Sequence, residues 1–372
     1  MRIAAFNVEN LFDRAKVLNL ENDARTSAVL KAASEINILF EKPDYSAADK
    51  ARMLVLLDEL GLLKSDKGEF ALLRVIRGKI IKRGKNKPPE IVAAGRASWI
   101  GWVELRTEPV DANAVANTGR VIRDVDADIL AVIEAEGRIE LKLFSEIVLR
   151  KVNGEAYDEV MVIDGNDDRG IDVGLLTKRG CVIGLMRSHI HEKMANQEPV
   201  FSRDCPEYAV TTPSGEIIWV LPNHFKSKFG GDDPRARAKR EAQGRRVAEI
   251  YNQLREEGHD NIVVLGDLND TPASPAVKLL LDGTDLKDVS DHASFDTGAF
   301  AGRGTFGLGN DNQKIDYLLL SPALFGRVTA SGLFRKGAWP GARPPRWEVY
   351  PEITEEHHVA SDHHVIWADI DI

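Results

Sequence analysis

Cysteine is almost missing from this chain. Only Cys181 and Cys205 occur in 372 residues, too few for a disulfide framework and without the CxxC spacing of a zinc site. A reducing compartment suits such a sequence, and a cytoplasmic location is the expectation. There is no run of about 18 uncharged apolar residues, which excludes a membrane-spanning helix. The apolar start, Met1 to Phe6, is too short for a signal-peptide core and is interrupted by Asn7, Glu9 and Asn10. An excess of basic charge is missing as well. Against 49 Lys and Arg stand 58 Asp and Glu, a net charge of -9, so any nucleic-acid binding falls to local basic patches. No internal repeat is visible. What remains is a globular chain, 43% hydrophobic, long enough for one large α/β domain or two ordinary ones.

The informative feature is how the apolar segments end. Ile262-Val263-Val264-Leu265 reads as a buried strand, Gly266 lets the backbone turn, and Asp267, Asn269 and Asp270 follow at once. Residues two apart on extended backbone point the same way, so Asp267 and Asn269 can face one hard cation or one reacting water. Alone, this is a strand with a polar turn, in which Asp270 reads as a turn residue before Thr271-Pro272. The pattern recurs, however. The strand expected over Arg2 to Phe6 ends in Asn7 and Glu9, the one from Asp128 ends in Glu134, and the one over Ile217 to Leu221 delivers Asn223-His224-Phe225-Lys226-Ser227-Lys228. Lys314 to Ser321 carries Asp316 within an apolar strand, and Ser361-Asp362-His363-His364 introduces a last strand, Val365 to Ile370. A polar turn, Asp164 to Gly170 with Asp168 and Arg169, precedes the apolar strand Ile171 to Leu176, which holds Asp172. Helices are expected over Asn113 to Val125, Ile139 to Arg150, Pro234 to Glu256 and Pro275 to Leu281. Carboxylates gathered on one edge repel unless a cation or a charged histidine sits among them, so such a convergence points to chemistry.

From about Asp13 to Val110 the sequence changes character. Ala47 to Leu63 has helical periodicity, Ala71 to Ile81 sets apolar residues among Arg74, Arg77 and Lys79, and Arg83-Gly84-Lys85-Asn86-Lys87-Pro88-Pro89 is a basic, breaker-rich loop. These charges fit a solvated face with a flexible loop, or an arm that contacts phosphates. Trp99 and Trp102 are core residues on the first reading and a stacking surface on the second.

The ordered set Phe6-Asn7-Val8-Glu9, Asp128-Ile129-Leu130 to Glu134, Asn223-His224-Phe225-Lys226-Ser227-Lys228, Gly266-Asp267-Leu268-Asn269, Ile315-Asp316-Tyr317 and Ser361-Asp362-His363 resembles the endonuclease/exonuclease/phosphatase (DNase I-like) superfamily, nearest its bacterial nuclease-like branch. The resemblance covers roughly residues 1 to 12 and 115 to 372. It implies an α/β (α+β) fold, a four-layer αββα sandwich of two mainly antiparallel sheets. The expected organisation is a single domain over 1–372, interrupted after the first strand by a largely helical insertion at about 13–110. The activity it implies is hydrolysis of phosphoric esters with Mg²⁺ as cofactor, Mn²⁺ being able to substitute.

Carried over residue by residue, the resemblance makes Glu134 the main metal carboxylate, with Asn7 and Glu9 beside it and Asp362 available to the same or a second ion. Asp267 would take the proton of the attacking water, and Asn269 would orient it. His363, held by Asp316, and His224 would contact the phosphoryl oxygens. Arg169, Asn223, Lys226 and Lys228 are the candidate substrate contacts. Asp172 needs a partner, because an unpaired buried charge is costly, and His224 is the one expected, which would make two parallel Asp–His pairs. Glu9 stands where many relatives have Asp, a change that a hard cation tolerates through the longer reach.

Nothing in the family pattern accounts for the insertion. It attaches next to Asn7 and Glu9 and is expected to contact substrate or a protein partner. The expected substrate is nucleic acid, DNA ahead of RNA, with no membrane involved. Two alternatives stay open: a phosphatase or phosphodiesterase acting on an inositol phosphate, a nucleotide or a lipid headgroup, and a catalytically silent binding protein. The other metallophosphoesterase fold does not fit, because its Asp-x-His and Gly-Asn-His motifs are replaced by Asn7-Val8-Glu9 and Pro222-Asn223-His224-Phe225.

Overall fold

Strands that are apolar on both faces must be covered on both faces, and that requirement builds four layers here. The computed structural model describes residues 1–9, 11–19, 23–84, 87–167, 169–228, 233–341 and 345–372. The expectations that touch Asn10, Lys85, Asn86 and Asp168 lie outside the described residues. One sheet has seven strands in the order Phe295–Asp296, Val328–Phe334, Val365–Ile370, Arg2–Asn7, Ile129–Ala135, Asp172–Thr177 and Glu159–Val162. The other has six: Val182–Arg187, Glu207–Thr211, Ile217–His224, Ile262–Asp267, Asp316–Leu320 and Lys287–Asp288. Neighbours are antiparallel except for Arg2–Asn7 with Ile129–Ala135, Phe295–Asp296 with Val328–Phe334, and Ile217–His224 with Ile262–Asp267.

Alternation along each strand sorts its side chains between two cores. Ile3, Ala5, Ile129, Ala131 and Leu175 of the first sheet meet Tyr208, Val220, Val263, Leu265 and Leu318 of the second. Ala4, Phe6, Leu130 and Val132 face the other way, onto the helix Ala112–Val125 and onto Arg138–Leu143 with its π-helical continuation Phe144–Leu149. Leu221, Ile262, Val264 and Leu319 likewise pack under the helices Pro234–Glu256 and Pro275–Leu281. The expected αββα sandwich is therefore the fold.

The contacts divide the chain into two compact units, one of them Asp13–Pro109 and the other the sandwich, which holds Met1–Phe12, Val110–Lys228 and 233–372. The Asp13–Pro109 unit has the helices Asp23–Phe40 and Ala47–Glu59 around its own core of Ile36, Phe40, Met53, Leu57 and Trp99. Besides these helices it contains three antiparallel strand pairs that the sequence does not announce. Asp13–Ala15 pairs with Thr107–Pro109, Ala71–Arg77 with Ile100–Leu105, and Ile81–Gly84 with Lys87–Ile91. Pro88 and Pro89 read as loop formers, yet a two-stranded ribbon is all edge and tolerates a missing N–H. Trp99 is core: its ring meets Phe40 at 4.7 Å and its indole N–H donates to the Tyr45 hydroxyl at 2.8 Å. Trp102 stays 40% exposed. Among the described residues no helix is long and apolar enough to cross a membrane.

Candidate active site

Strand register brings the polar ends together. In the six-stranded sheet His224 pairs with Asp267 across parallel strands, and Asp267 lies opposite Asp316 across antiparallel ones. In the seven-stranded sheet Asn7 pairs with Ile133, one residue before Glu134. The Asn7 amide then spans both sheets, donating to Glu134 Oε1 and to Asp267 Oδ2 at 3.3 Å each. His224 Nε2 stands 3.6 Å from the same two carboxylate oxygens. His363 Nδ1 is hydrogen-bonded to Asp316 Oδ2 at 2.8 Å, while its Nε2 lies 3.7 Å from Asp362 Oδ1 and 4.0 Å from Asp267 Oδ2. Asn269 donates its backbone N–H and its side-chain amide to Asp267, at 2.8 and 3.0 Å, and the amide also reaches the Phe225 carbonyl at 3.2 Å. Glu9 donates its backbone N–H to Asn7 Oδ1 at 3.1 Å.

One ligand atom each from the buried residues Asp267, Asp316 and His363 lies within 4.8 Å of the others, a group able to coordinate a divalent metal. Backbone strain concentrates here too. Glu9, Glu134 and Asn269 have φ of 50°, 67° and 51°, and they make up three of the seven non-glycine residues with positive φ among those described. Such backbone persists where the surrounding structure over-determines it, as around a site.

Burial, and then the neighbouring Asp316, push the Asp267 carboxyl up to about 7. The two histidines are driven apart. Burial alone would depress His363, but the Asp316 carboxylate outweighs it and raises the imidazole well above its ordinary range. His224 is pushed well below that range, first by burial and then by Arg203 and Arg169. The environment thus favours the charged form of one ring and the neutral form of the other, a few ångströms from the same carboxylate.

Arg203 escaped the reading of the sequence. It is 1% exposed, with Nη2 3.0 Å from Asp167 Oδ2, while Arg169 grips the same carboxylate at 3.0 and 2.9 Å. Against the penalty of burial, these two guanidinium groups hold Asp167 well below the ordinary carboxylate range. Arg203 has no signal in the sequence comparable to that of Asp172, lying in the mixed stretch Glu198-Pro199-Val200-Phe201-Ser202-Arg203-Asp204.

Three expectations need correction. Asp172 does not pair with His224: its Oδ1 accepts the Gly165 N–H at 2.6 Å, and His224 Nδ1 has no hydrogen-bond partner. The register shifts between Asp172 and Val173, and the turn before the strand folds back over the carboxylate. Asn223 is not a substrate contact, because alternation turns it away from His224; its amide donates to the Leu221 carbonyl at 3.0 Å beside the Cys205 thiol. Asp270, which reads as a plain turn residue, is a buried clamp that takes Arg240 Nε at 3.0 Å and pairs with Lys228. Lys228 and Arg169 are thus engaged by Asp270 and Asp167, and Lys226 is half-buried, its ammonium pushed down to about 8 by burial and then by Arg169 and Arg203.

Asp172 gives a stability prediction. Burial raises its pKa from 3.8 to about 6, so the folded chain binds a proton more tightly than the unfolded one and stability falls as pH rises through that window. Asp172→Asn keeps the acceptor for Gly165 without the charge. It should gain about 1–2 kcal/mol on the parent at pH 8 relative to pH 4 in urea unfolding, and an equal gap at both pH values would refute the buried-charge account.

Two facing sheets whose strand ends bring carboxylates and imidazoles to one edge have the design of a hydrolase of phosphoric esters. The chain belongs to the Endonuclease/Exonuclease/phosphatase family, whose model matches residues 108–334. Among solved structures it is similar to a mannosyl-6-phosphatase of Bacteroides thetaiotaomicron, at 14% identity over 69% of this chain and 90% of that one, with a TM-score of 0.49. It is also similar to an endonuclease/exonuclease/phosphatase from Bacteroides vulgatus, at 17% identity over 69% and 90% of the two chains and a TM-score of 0.48. The catalytic domain of human Nocturnin with bound sulfate aligns at 13% identity over 71% and 89%, with a TM-score of 0.47. No curated protein gives a sequence match.

Proposed function

We propose that this chain is a magnesium-dependent phosphodiesterase that cleaves nucleic acid, DNA ahead of RNA. The observation that carries the reading is geometric: His224 Nε2 and His363 Nε2 stand 3.6 and 4.0 Å from Oδ2 of the buried Asp267, with Asp316 hydrogen-bonded to the far side of the His363 ring at 2.8 Å. The donor set fits a hard divalent ion: Asn7, Glu9, Glu134 and Asp362 offer oxygen ligands and no thiolate, whereas the metal-capable group Asp267, Asp316 and His363 is left to the reaction itself, since a charged imidazole has no lone pair for an ion. Those four residues would hold Mg²⁺, or Mn²⁺ in its place, and the bound ion would supply charge neutralisation at the phosphoryl oxygens.

Asp267 acts as general base. Its two hydrogen bonds from Asn269 and one from Asn7 fix the carboxylate so that it can take a proton from a water aligned for in-line attack. The His363 imidazolium donates from Nε2 to phosphoryl oxygen, where charge builds in the transition state, and Asp316 on its other nitrogen keeps the ring charged and oriented. Neutral His224 adds a second contact at Nε2. Arg169, Arg203 and Lys226 supply local positive potential in an acidic protein, which supports a polyanionic substrate. The insertion, with Trp102 exposed and Arg74 opposite it in register, is proposed to contact that substrate.

The test is a panel of supercoiled plasmid, single-stranded DNA, RNA and a phosphomonoester, each with Mg²⁺, Mn²⁺ or EDTA. DNA cleavage that EDTA abolishes is expected. Turnover of the phosphomonoester with both nucleic acids left intact would replace this reading with a phosphatase. Because the base works only as carboxylate, the rate should climb as pH rises through the region of about 7, or lower where the ion favours the charged form. A rate flat from pH 5 to pH 8, an interval of roughly three units, would remove a titrating carboxylate from the rate-limiting step.

A further inference from the structure

Away from that edge, two imidazoles and a carboxylate meet on the surface of the sandwich. Asp111 caps the helix Ala112–Val125, its Oδ1 accepting the backbone N–H of Asn113 at 2.7 Å and of Ala114 at 3.4 Å. His357 and His358 close the 3₁₀ turn Glu356–His358, with their rings edge to face at 4.3 Å. The turn is fastened to the helix, since the Asn117 amide donates to the His358 carbonyl at 2.7 Å and the Thr118 hydroxyl to the Ala360 carbonyl at 2.9 Å. One ligand atom from each of Asp111, His357 and His358 lies within 4.8 Å of the others, and Glu355 Oε2 is 3.5 Å from His357 Nδ1.

We propose that Asp111, His357 and His358, with Glu355 as fourth ligand, bind a transition-metal ion of the zinc class at a site separate from the catalytic edge. Two imidazoles with carboxylates suit Zn²⁺ and its neighbours far better than Mg²⁺, which prefers oxygen and keeps its waters. Ligands of a tetrahedral zinc lie about 3.4 Å apart, from bonds of about 2.0–2.1 Å, so the side chains must close by roughly an ångström. They are free to do so, His357 being 60% exposed in its side chain and Asp111 exposed as well. Thr354 Oγ1 lies 3.1 Å from His358 Nδ1, which orients that ring and leaves Nε2 for the ion. Glu352, Glu355 and Glu356 make the segment acidic. The positive end of the helix opposes a cation, and the Asp111 carboxylate at the cap offsets it.

The position gives the ion something to control. Three residues after His358, the Ser361 hydroxyl donates to the Asn7 carbonyl at 2.7 Å, and Asp362 and His363 follow directly. Asp111 itself follows Val110, whose N–H donates to the Phe12 carbonyl beyond Asn7 and Glu9. An ion here ties the helix cap to the segment that delivers His363, and so acts as a positioning device.

The experiment uses the full chain stripped of metal and supplied with excess Mg²⁺ to occupy the hard site, then titrated with Zn²⁺ by calorimetry and with Co²⁺ by visible absorption. One Zn²⁺ of micromolar or tighter affinity is expected, with Co²⁺ bands of a four- or five-coordinate site. The double variant His357→Gln, His358→Gln should weaken binding at least about 10-fold, and Asp111→Asn, which keeps the helix cap, should weaken it measurably. Asp267→Asn should leave this Zn²⁺ affinity unchanged. Both changed imidazoles are at the surface, and equal thermal unfolding of metal-free parent and double variant confirms an intact fold. Absence of Zn²⁺ binding, or binding lost in Asp267→Asn and kept in the double histidine variant, would overturn the proposal.

Discussion

Replacing Asp267 with asparagine should lower kcat on DNA at least about 10²-fold with little change in KM, the scale of losing a general base. Asparagine is the sharper probe. Asp267 is 1% exposed and accepts from Asn7 and twice from Asn269, so alanine would strand three donors in a dry site and confound catalysis with folding. The amide keeps the shape and one acceptor but cannot take the proton. Single-turnover kinetics with saturating Mg²⁺ measure the chemical step, and near-ultraviolet circular dichroism monitors the fold. A loss of less than about 10-fold would give the base role to another group, with the Asp316–His363 pair next in line.

Alanine at Gly266 should be strongly destabilising. Gly266 has φ +121°, a region that side chains rarely adopt. A Cβ there would lie 2.2 Å from the Asn223 carbonyl oxygen and 3.1 Å from Ile133 Cδ1. The oxygen belongs to the neighbouring parallel strand, where Asn223 pairs with Gly266 and His224 with Asp267, so relief requires spreading the ladder under the site. Strain and overpacking together should cost roughly 3 kcal/mol or more, a large part of the about 5–15 kcal/mol that holds a domain folded. Urea unfolding reads this directly, and a midpoint equal to the parent's would show that the strands separate freely. The fraction that stays folded should also turn over slowly, because Asp267 is the next residue along.

Much of the sandwich was legible because its signals are local. The helices Pro234–Glu256 and Pro275–Leu281 announce themselves through Asp233 and Ser274 as caps, each followed by proline in the first turn. The strands that carry the edge are dense apolar runs stopped by polar residues. Val328–Phe334 was not legible, since Thr329, Ala330, Ser331 and Gly332 carry little β-branched or aromatic signal and depend on pairing with Val365–Ile370. Arg203 comes from a stretch without periodicity, and its place beside Asp167 exists only after folding. The error at Asp172 has the same origin. Burial of that carboxylate could be read from its neighbours in sequence, but which donor reaches it depends on a register shift that no spacing encodes.

The order in which the chain is made gives the insertion a further meaning. Asp13–Ala15 and Thr107–Pro109 pair with each other, so both helices and all three strand pairs of the Asp13–Pro109 segment have been synthesised when Pro109 emerges. The strand Arg2–Asn7 must wait far longer: its neighbours are Ile129–Ala135 and Val365–Ile370, with Arg2 opposite Asp369 and the amino group of Met1 donating to the Ile370 carbonyl at 2.9 Å. Units fold in the order in which they are completed, so the insertion can be folded while its host still lacks a central sheet. The edge proposed as the active site draws on Asn7 and on His363, which lie far apart in sequence, so it is among the last features to form. A nascent chain that has not yet reached His363 can therefore carry a folded insertion beside an edge that is still incomplete.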